Sequence, residues 1–203
     1  MRRAGVSAVL LLWGCAADSA PVGRTAPEAH SDPIAELRRS AATANYERLS
    51  AADLVERADV IAYGTIVHLE AGRGVKANAA DEPAPTVVAE VDVQQTIKGD
   101  AIAPLYMELL VGSVDDALFE PGGIAIDEPD QVVVFATRAS SSWQEGTIFV
   151  NDGQGVPEGA ELYRPVNPQG VVENVDGELQ QADGLIFRSE NMTDLTIEIE
   201  GML

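Results

Sequence analysis

Val87-Val88-Ala89-Glu90-Val91-Asp92-Val93-Gln94-Gln95-Thr96-Ile97 alternates with a period of two. Val87, Ala89, Val91, Val93 and Ile97 fall on one face, and Glu90, Asp92, Gln94 and Thr96 on the other. Successive side chains of a strand point to opposite sides, so the stretch reads as a half-buried antiparallel strand. Lys98-Gly99-Asp100 closes it as a turn. Working outward, Leu105, Met107, Leu109 and Val111 alternate again, and Gln131 to Thr137 is an apolar strand around Val132–Phe135. Thr147 to Val150 is a shorter candidate. Gly170–Val175 and Glu178–Ala182 flank Asp176-Gly177, a two-residue hairpin signal. Leu195, Ile197 and Ile199 alternate with Thr196, Glu198 and Glu200 and predict one more strand at the C-terminus.

Upstream, Val60 to Leu69 is a β-rich run in which Gly64 marks a bulge or a close backbone approach. Before residue 59 the period is helical. Asp32-Pro33 supplies an N-cap and a proline at the first helical position, followed by Ile34, Leu37, Ala41 and Ala44. Ser50 with Asp53 three residues on, an incomplete capping box, opens a second short helix, whose face continues through Leu54, Ala58 and Ile61. These elements predict a mainly β domain, a small OB-like β-barrel or sandwich preceded by one or two short helices. The domain spans residues 33–203, with short helices in 33–58 and strands from 59.

Composition narrows the function classes. The chain has 203 residues, 33 Asp and Glu against 13 Lys and Arg, a net charge of −20 and one cysteine. A hydrophobic fraction of 46% is enough to build a core. The acidic surface argues against nucleic acid as a partner, since phosphates need a basic face. One cysteine excludes an internal disulfide and a multi-thiolate zinc site.

Arg2-Arg3 precede an apolar run from Ala4 to Trp13, with no acidic residue before Asp18. A basic start and roughly ten apolar residues make a secretory signal, too short to span a bilayer of about 30 Å. The run ends in Leu12-Trp13-Gly14-Cys15, which resembles the lipobox of bacterial lipoproteins. Trp13 stands where that pattern has a smaller or aliphatic residue. The resemblance implies a signal peptide over 1–14, acylation of Cys15, a lipidated tether over 15–32 and an extracytoplasmic body anchored to a membrane of the cell envelope. A signal anchor or a buried N-terminal strand is the competing reading. That the one cysteine falls at this spot favours the lipobox.

A second resemblance concerns the body. Residues 53–67, running Asp-Leu-Val-Glu-Arg-Ala-Asp-Val-Ile-Ala-Tyr-Gly-Thr-Ile-Val, resemble the opening of netrin-like domains, OB-like barrels related to tissue inhibitors of metalloproteinases. Val91–Gly99, ending in Lys-Gly, and Asp130–Ala136 match later strands of that pattern, so the likeness covers roughly residues 51–137. It implies a fold and no activity. The disulfides and free N-terminal cysteine that animal members use against proteases have no counterpart here.

Chemistry-bearing residues are sparse. His30, before the first helix, and His68, which alternates onto the strand face of Ile66, are the only histidines and have no partner ligands at metal spacing. Gly153-Gln154-Gly155 begins a dinucleotide fingerprint but meets Pro157-Glu158 where the third glycine belongs, so it reads as a turn. No cofactor is implied. Asp127, Asp130 and Asp152 stand in loops rich in oxygen ligands and are weak calcium candidates, without EF-hand spacing. Asp115, Asp116 and Glu120 could pair as acid and base, the basis for an alternative reading as an envelope hydrolase. Trp143, beside Ser140-Ser141-Ser142, is the candidate ligand-stacking residue. The sequence therefore predicts a lipid-anchored binding or scaffolding domain whose partner is a protein or small ligand. Replacing Cys15 with Ser should abolish incorporation of a palmitate analogue and move the protein out of the membrane fraction. Equal labelling of both forms would leave an ordinary secreted domain.

Overall fold

The computed structural model describes residues 46–100, 102–111, 116–127 and 129–203. The expected signal, Cys15, the tether and the helix after Asp32-Pro33 lie outside them. Within them, α1 (Ala51–Arg57) starts as read but ends sooner, with Ala58 as its C-cap and Ile61 already in a strand. The Ser50 hydroxyl accepts from Asp53 N at 3.2 Å while Ser50 N donates to the Asp53 carboxylate at 3.3 Å, so the capping box is complete although Asp stands where Glu is usual. At its other end Lys98 Nζ donates to the Val55 and Glu56 carbonyls at 2.7 and 3.0 Å, satisfying orphan acceptors of the last turn.

The strands are β1 (Val60–Lys76), β2 (Ala84–Lys98), β3 (Leu105–Leu110), β4 (Ile124–Ala125), β5 (Gln131–Arg138), β6 (Ile148–Val150), β7 (Leu162–Pro165), β8 (Val171–Val175) and β9 (Glu178–Gln181). A short helical turn, α2 (Ala139–Ser142), follows β5 directly. Five strands close into a ring. β1 pairs with β2, β2 with β3, β3 with β7, β7 with β5, and β5 returns to β1. All of these pairings are antiparallel except β3 with β7. The domain is mainly β as expected, and of the two expected architectures, OB-like barrel or sandwich, the closed ring is the barrel.

Closure needs stagger, and the register carries it. Val60 lies opposite Ala136, yet following the pairings round through β7, β3 and β2 leads back to β1 near Ala71. Closing a sheet so tightly needs such a tilt and kinks to turn the corners. Gly64 provides one, at a register shift between Tyr63 and Gly64. A Cβ there would stand 2.2 Å from the Asp92 carbonyl oxygen. The interior is apolar: Ala62, Ile66, Val91, Met107, Leu109, Val134 and Tyr163 are all buried in one cluster.

A second cluster lies outside the ring, where α1 and the C-terminal segment cover the outer face of β5 and β8. Leu54, Val133, Phe135 and Val172 meet Leu195 and Ile199 there, and Phe187 stacks on Phe135 at 5.4 Å. Here one expectation fails. Residues 192–200 form α3 (Met192–Glu200), not a strand. Asn191 caps it, its side-chain oxygen accepting from Asp194 N at 3.0 Å. Met192, Leu195, Thr196 and Ile199 are buried at helical spacing, whereas Ile197 is 60% exposed. Burying Leu195 and Ile199 contributes about 2 kcal/mol each, which outweighs β-branched propensity differences of a few tenths.

Bulges correct two further assignments. Tyr63 pairs with Gln95 and Gly64 with Val93, so Gln94 is an extra residue that turns Ile97 to the outer cluster, away from Val93. Ile66 pairs with Val91 and His68 with Glu90, so Val67 is extra and His68 does not share the face of Ile66. The Asp176-Gly177 hairpin forms as read, both residues having positive φ, 53° and 88°. A Gly64→Ala change should cost about 2–3 kcal/mol, because the methyl meets a backbone oxygen and no flexible side chain. Denaturant unfolding checks it; a change within 0.5 kcal/mol (about the noise of a neutral surface substitution) would show that the bulge tolerates a side chain.

Candidate functional site

On strand pattern alone Glu108 belongs to the solvent face of β3, opposite Met107 and Leu109. It is 2% exposed. The segment between β5 and β7 folds back over the outer face of β3 and β7, and β6 within it adds to β1 at Gly74–Lys76. That return brings together side chains from five elements: Arg73 (β1), Glu108 (β3), Arg164 (β7), Trp143 (after α2) and Phe149 (β6).

Their geometry is a closed circuit. Arg73 donates to the Glu108 carboxylate through Nε at 2.7 Å and Nη2 at 3.2 Å, a bidentate pair with side chains 10% and 1% exposed. Arg73 Nη1 reaches Asp152 at 2.6 Å, and its guanidinium lies 3.7 Å over the Phe149 ring. Phe149 meets Trp143 edge to face, with centroids 5.9 Å apart. Trp143 Nε1 donates back to Glu108 at 3.1 Å, and Arg164 lies 3.7 Å over the indole. The ring is thus held by a hydrogen bond, a cation on one face and an aromatic edge.

Electrostatics follows burial. Desolvation pulls Arg73 down, but its hydrogen bonds to Glu108 and Asp152 outweigh this and hold it above the ordinary arginine value. Arg164 is shifted the other way. Burial lowers it, the nearby Arg73 charge adds to the lowering, and Glu108 offsets only part. Among the described residues its guanidinium donates no side-chain hydrogen bond. Tyr163, on the same strand, is pushed up to about 12 by burial and by its hydrogen bond to Glu161.

Beyond the circuit a cavity of about 540 Å³ opens to solvent, within the range of ligand pockets. Trp143, Phe149, Val156 and Leu162 form its apolar wall, Arg73 its floor, and Glu145, Asp152 and Glu161 its acidic members. Arg138 pairs with Glu161 at 2.8 Å, with both side chains about half exposed, so this pair is weak. A smaller hollow of about 160 Å³ lies beside it, lined by His68, Glu70, Glu90 and Tyr106.

Of the residues expected to matter, Trp143 lies in this cavity and Asp152 stands at its edge, engaged by Arg73. Asp127 and Asp130 precede Gln131, which pairs with Thr65, and so lie elsewhere along β1. Among the described residues no group of three His, Cys, Asp or Glu could hold a metal ion. Asp115 lies outside the described residues, Asp116 opens a 3₁₀ turn (Asp116–Phe119), and Glu120 is exposed. Sequence reasoning missed Arg73, Glu108, Phe149 and Arg164. The available signals were an arginine between two glycines, Gly72-Arg73-Gly74, and an acid inside the apolar run 105–111. Comparison with protein-family models, curated proteins and solved structures finds no match to this chain.

Glu108→Ala should cost about 3–5 kcal/mol, because it strands Arg73 beneath the loop. The joint change Arg73→Met, Glu108→Leu should recover most of that loss, since it removes both charges together. Thermal unfolding distinguishes them; a double variant as unstable as the single would mean the pair contributes more than mutual neutralisation.

Proposed function

We propose that this chain is a lipid-anchored, extracytoplasmic binding domain of the bacterial envelope, and that its ligand seats in the cavity beside Trp143. The observation that carries the reading is the indole, fixed in orientation before any ligand arrives. A preset aromatic wall lowers the entropy cost of association, and tryptophans in such walls dominate binding energy. The anchor rests on the Leu12-Trp13-Gly14-Cys15 pattern. Among the described residues no helix is long and apolar enough to cross a membrane. The OB-like ring supports the likeness to netrin-like barrels at the level of fold. In barrels of this topology ligands commonly lie against the second and third strands, between the loop joining the first two and the loop joining the last two. The cavity shares only part of that place, by analogy of fold: it is lined by the loop joining the last two ring strands and by Arg73 near the end of the first, whereas the smaller hollow touches the second and third strands. The usual ligand there, a nucleic acid, fits poorly with a net charge of −20.

The test is recovery of a bound species from solubilised native envelope by the wild-type protein, by Trp143→Ala and by Val156→Trp, which fills the cavity from its half-exposed loop. Both variants should retain at least about tenfold less, the equivalent of 1.4 kcal/mol. Equal recovery by all three would move the binding surface elsewhere.

A further inference from the structure

We infer that the cavity receives an arginine side chain from a basic segment of a partner protein, laid against the indole of Trp143. The inference rests on the binding role proposed above and adds the chemistry of the occupant.

Three observations carry it. The first is the state of the aromatic wall. Arg164 occupies one side of the indole at 3.7 Å and does not line the cavity, whereas Trp143 does. The ring therefore offers its remaining surface to an incoming group. Phe149 already carries the Arg73 guanidinium at 3.7 Å. Both aromatic rings of the site thus stack a guanidinium, and the planar, weakly hydrated guanidinium suits such a surface better than an ammonium does.

The second is charge. The one cation in the cavity wall, Arg73, is matched by Glu108 and Asp152. That leaves Glu145, which has no ion pair or hydrogen bond among the described residues, and Glu161, whose charge is met by one half-exposed arginine and otherwise only by the neutral Tyr163 hydroxyl at 2.7 Å. Asp152 is 67% exposed and gives one oxygen to Arg73, so its other oxygen faces no protein donor among the described residues. A carboxylate ligand would meet this rim unfavourably, and a neutral one would leave its charge unused.

The third is the whole chain. A net charge of −20 draws cationic segments toward any cleft on the body and raises their association rate. A free small amine would share that attraction. An apolar wall of Val156, Leu162 and Phe149 extending beyond the indole gives a peptide more to bury than a bare cation has, and this commits the site to a protein segment.

The experiment uses the full chain carrying Trp13→Phe, so that Trp143 is the one tryptophan and its fluorescence reports the cavity. Capped peptides of three arginines, three lysines or three glutamines are titrated at low and high salt. The arginine peptide should give a saturable change, bind several-fold tighter than the lysine peptide, and weaken as salt rises. The glutamine peptide should give none. The joint change Glu145→Gln, Glu161→Gln lies on exposed side chains and should leave the melting temperature in place while weakening the arginine peptide about tenfold. Equal binding of arginine and glutamine peptides, or no saturable response to arginine, would overturn the inference. A native species still recovered in a Trp143-dependent way would show that only the arginine assignment had failed. Loss of both would remove the cavity as a site.

Discussion

One strand serves four partners. β1 gives one edge to β2 along nearly its whole length and the other, in succession, to β5, β4 and β6. A strand has only two edges, so this sharing decides where everything else can lie. The first six residues close the ring through β5, the middle holds the short β4, and the end is left to pair with β6. Such a long strand can do this only if it bends, which explains the run of register shifts along it and the glycine pressed against Asp92. The candidate site is a consequence: because β6 is tied to the far end of β1, its loop lies across β3 and β7 and turns an outer sheet face into a covered one.

Covering that face creates an electrostatic problem and its solution together. Glu108 alone beneath the loop would lose its hydration, at a cost of several kcal/mol. Two hydrogen bonds from Arg73 and one from Trp143 replace the water, and Thr86, whose hydroxyl donates to the Arg73 carbonyl at 2.7 Å, braces the backbone that presents the arginine. A pair so enclosed is worth little for stability compared with an apolar replacement. It does fix positions. The indole cannot rotate without giving up its bond to Glu108, so the polar cluster sets the wall of the cavity to one orientation.

The barrel was legible in the sequence because its walls are amphipathic at a period of two, and the pattern of Val87–Val93 or Leu105–Val111 survives in the fold. Where a bulge intervenes, the period shifts by one residue, and no local pattern announces the shift; Ile97 and His68 were misplaced for that reason. The C-terminal segment carried two readings at once, since Leu195 and Ile199 fit both a strand and a helix. The Asn191 cap and the groove between α1 and β5 decide for the helix, and the second of these is a tertiary fact. β7 escaped because four residues ending in a proline show no period. The site escaped for a different reason: alternation assigns Glu108 to solvent, and only the returning loop reverses that.

The arrangement separates attachment from recognition. The first described residues are held on the side of α1 and α3. Leu49 exchanges hydrogen bonds with Gln169 at 2.8 and 3.4 Å, Tyr46 bonds Asp183, and Glu47 forms a bidentate pair with Arg57. The cavity faces outward over β3 and β7, on another side of the ring, and shares no residue with those contacts. The described residues begin at Tyr46, beside the outer apolar cluster to which Leu49 belongs. Among the described residues the cavity lining shares no member with that cluster, and the strands of the ring lie between them. A closed ring of hydrogen-bonded strands is stiff compared with a loop, so under the proposed anchoring through Cys15 the orientation of Trp143 would be insulated from motion at that end of the body. Under the same proposal the acidic body would be repelled by anionic headgroups, which would keep the cavity in solution where a cationic segment can reach it. Net charge, which says nothing about the fold, would under these proposals select both the surface this domain avoids and the partner it attracts.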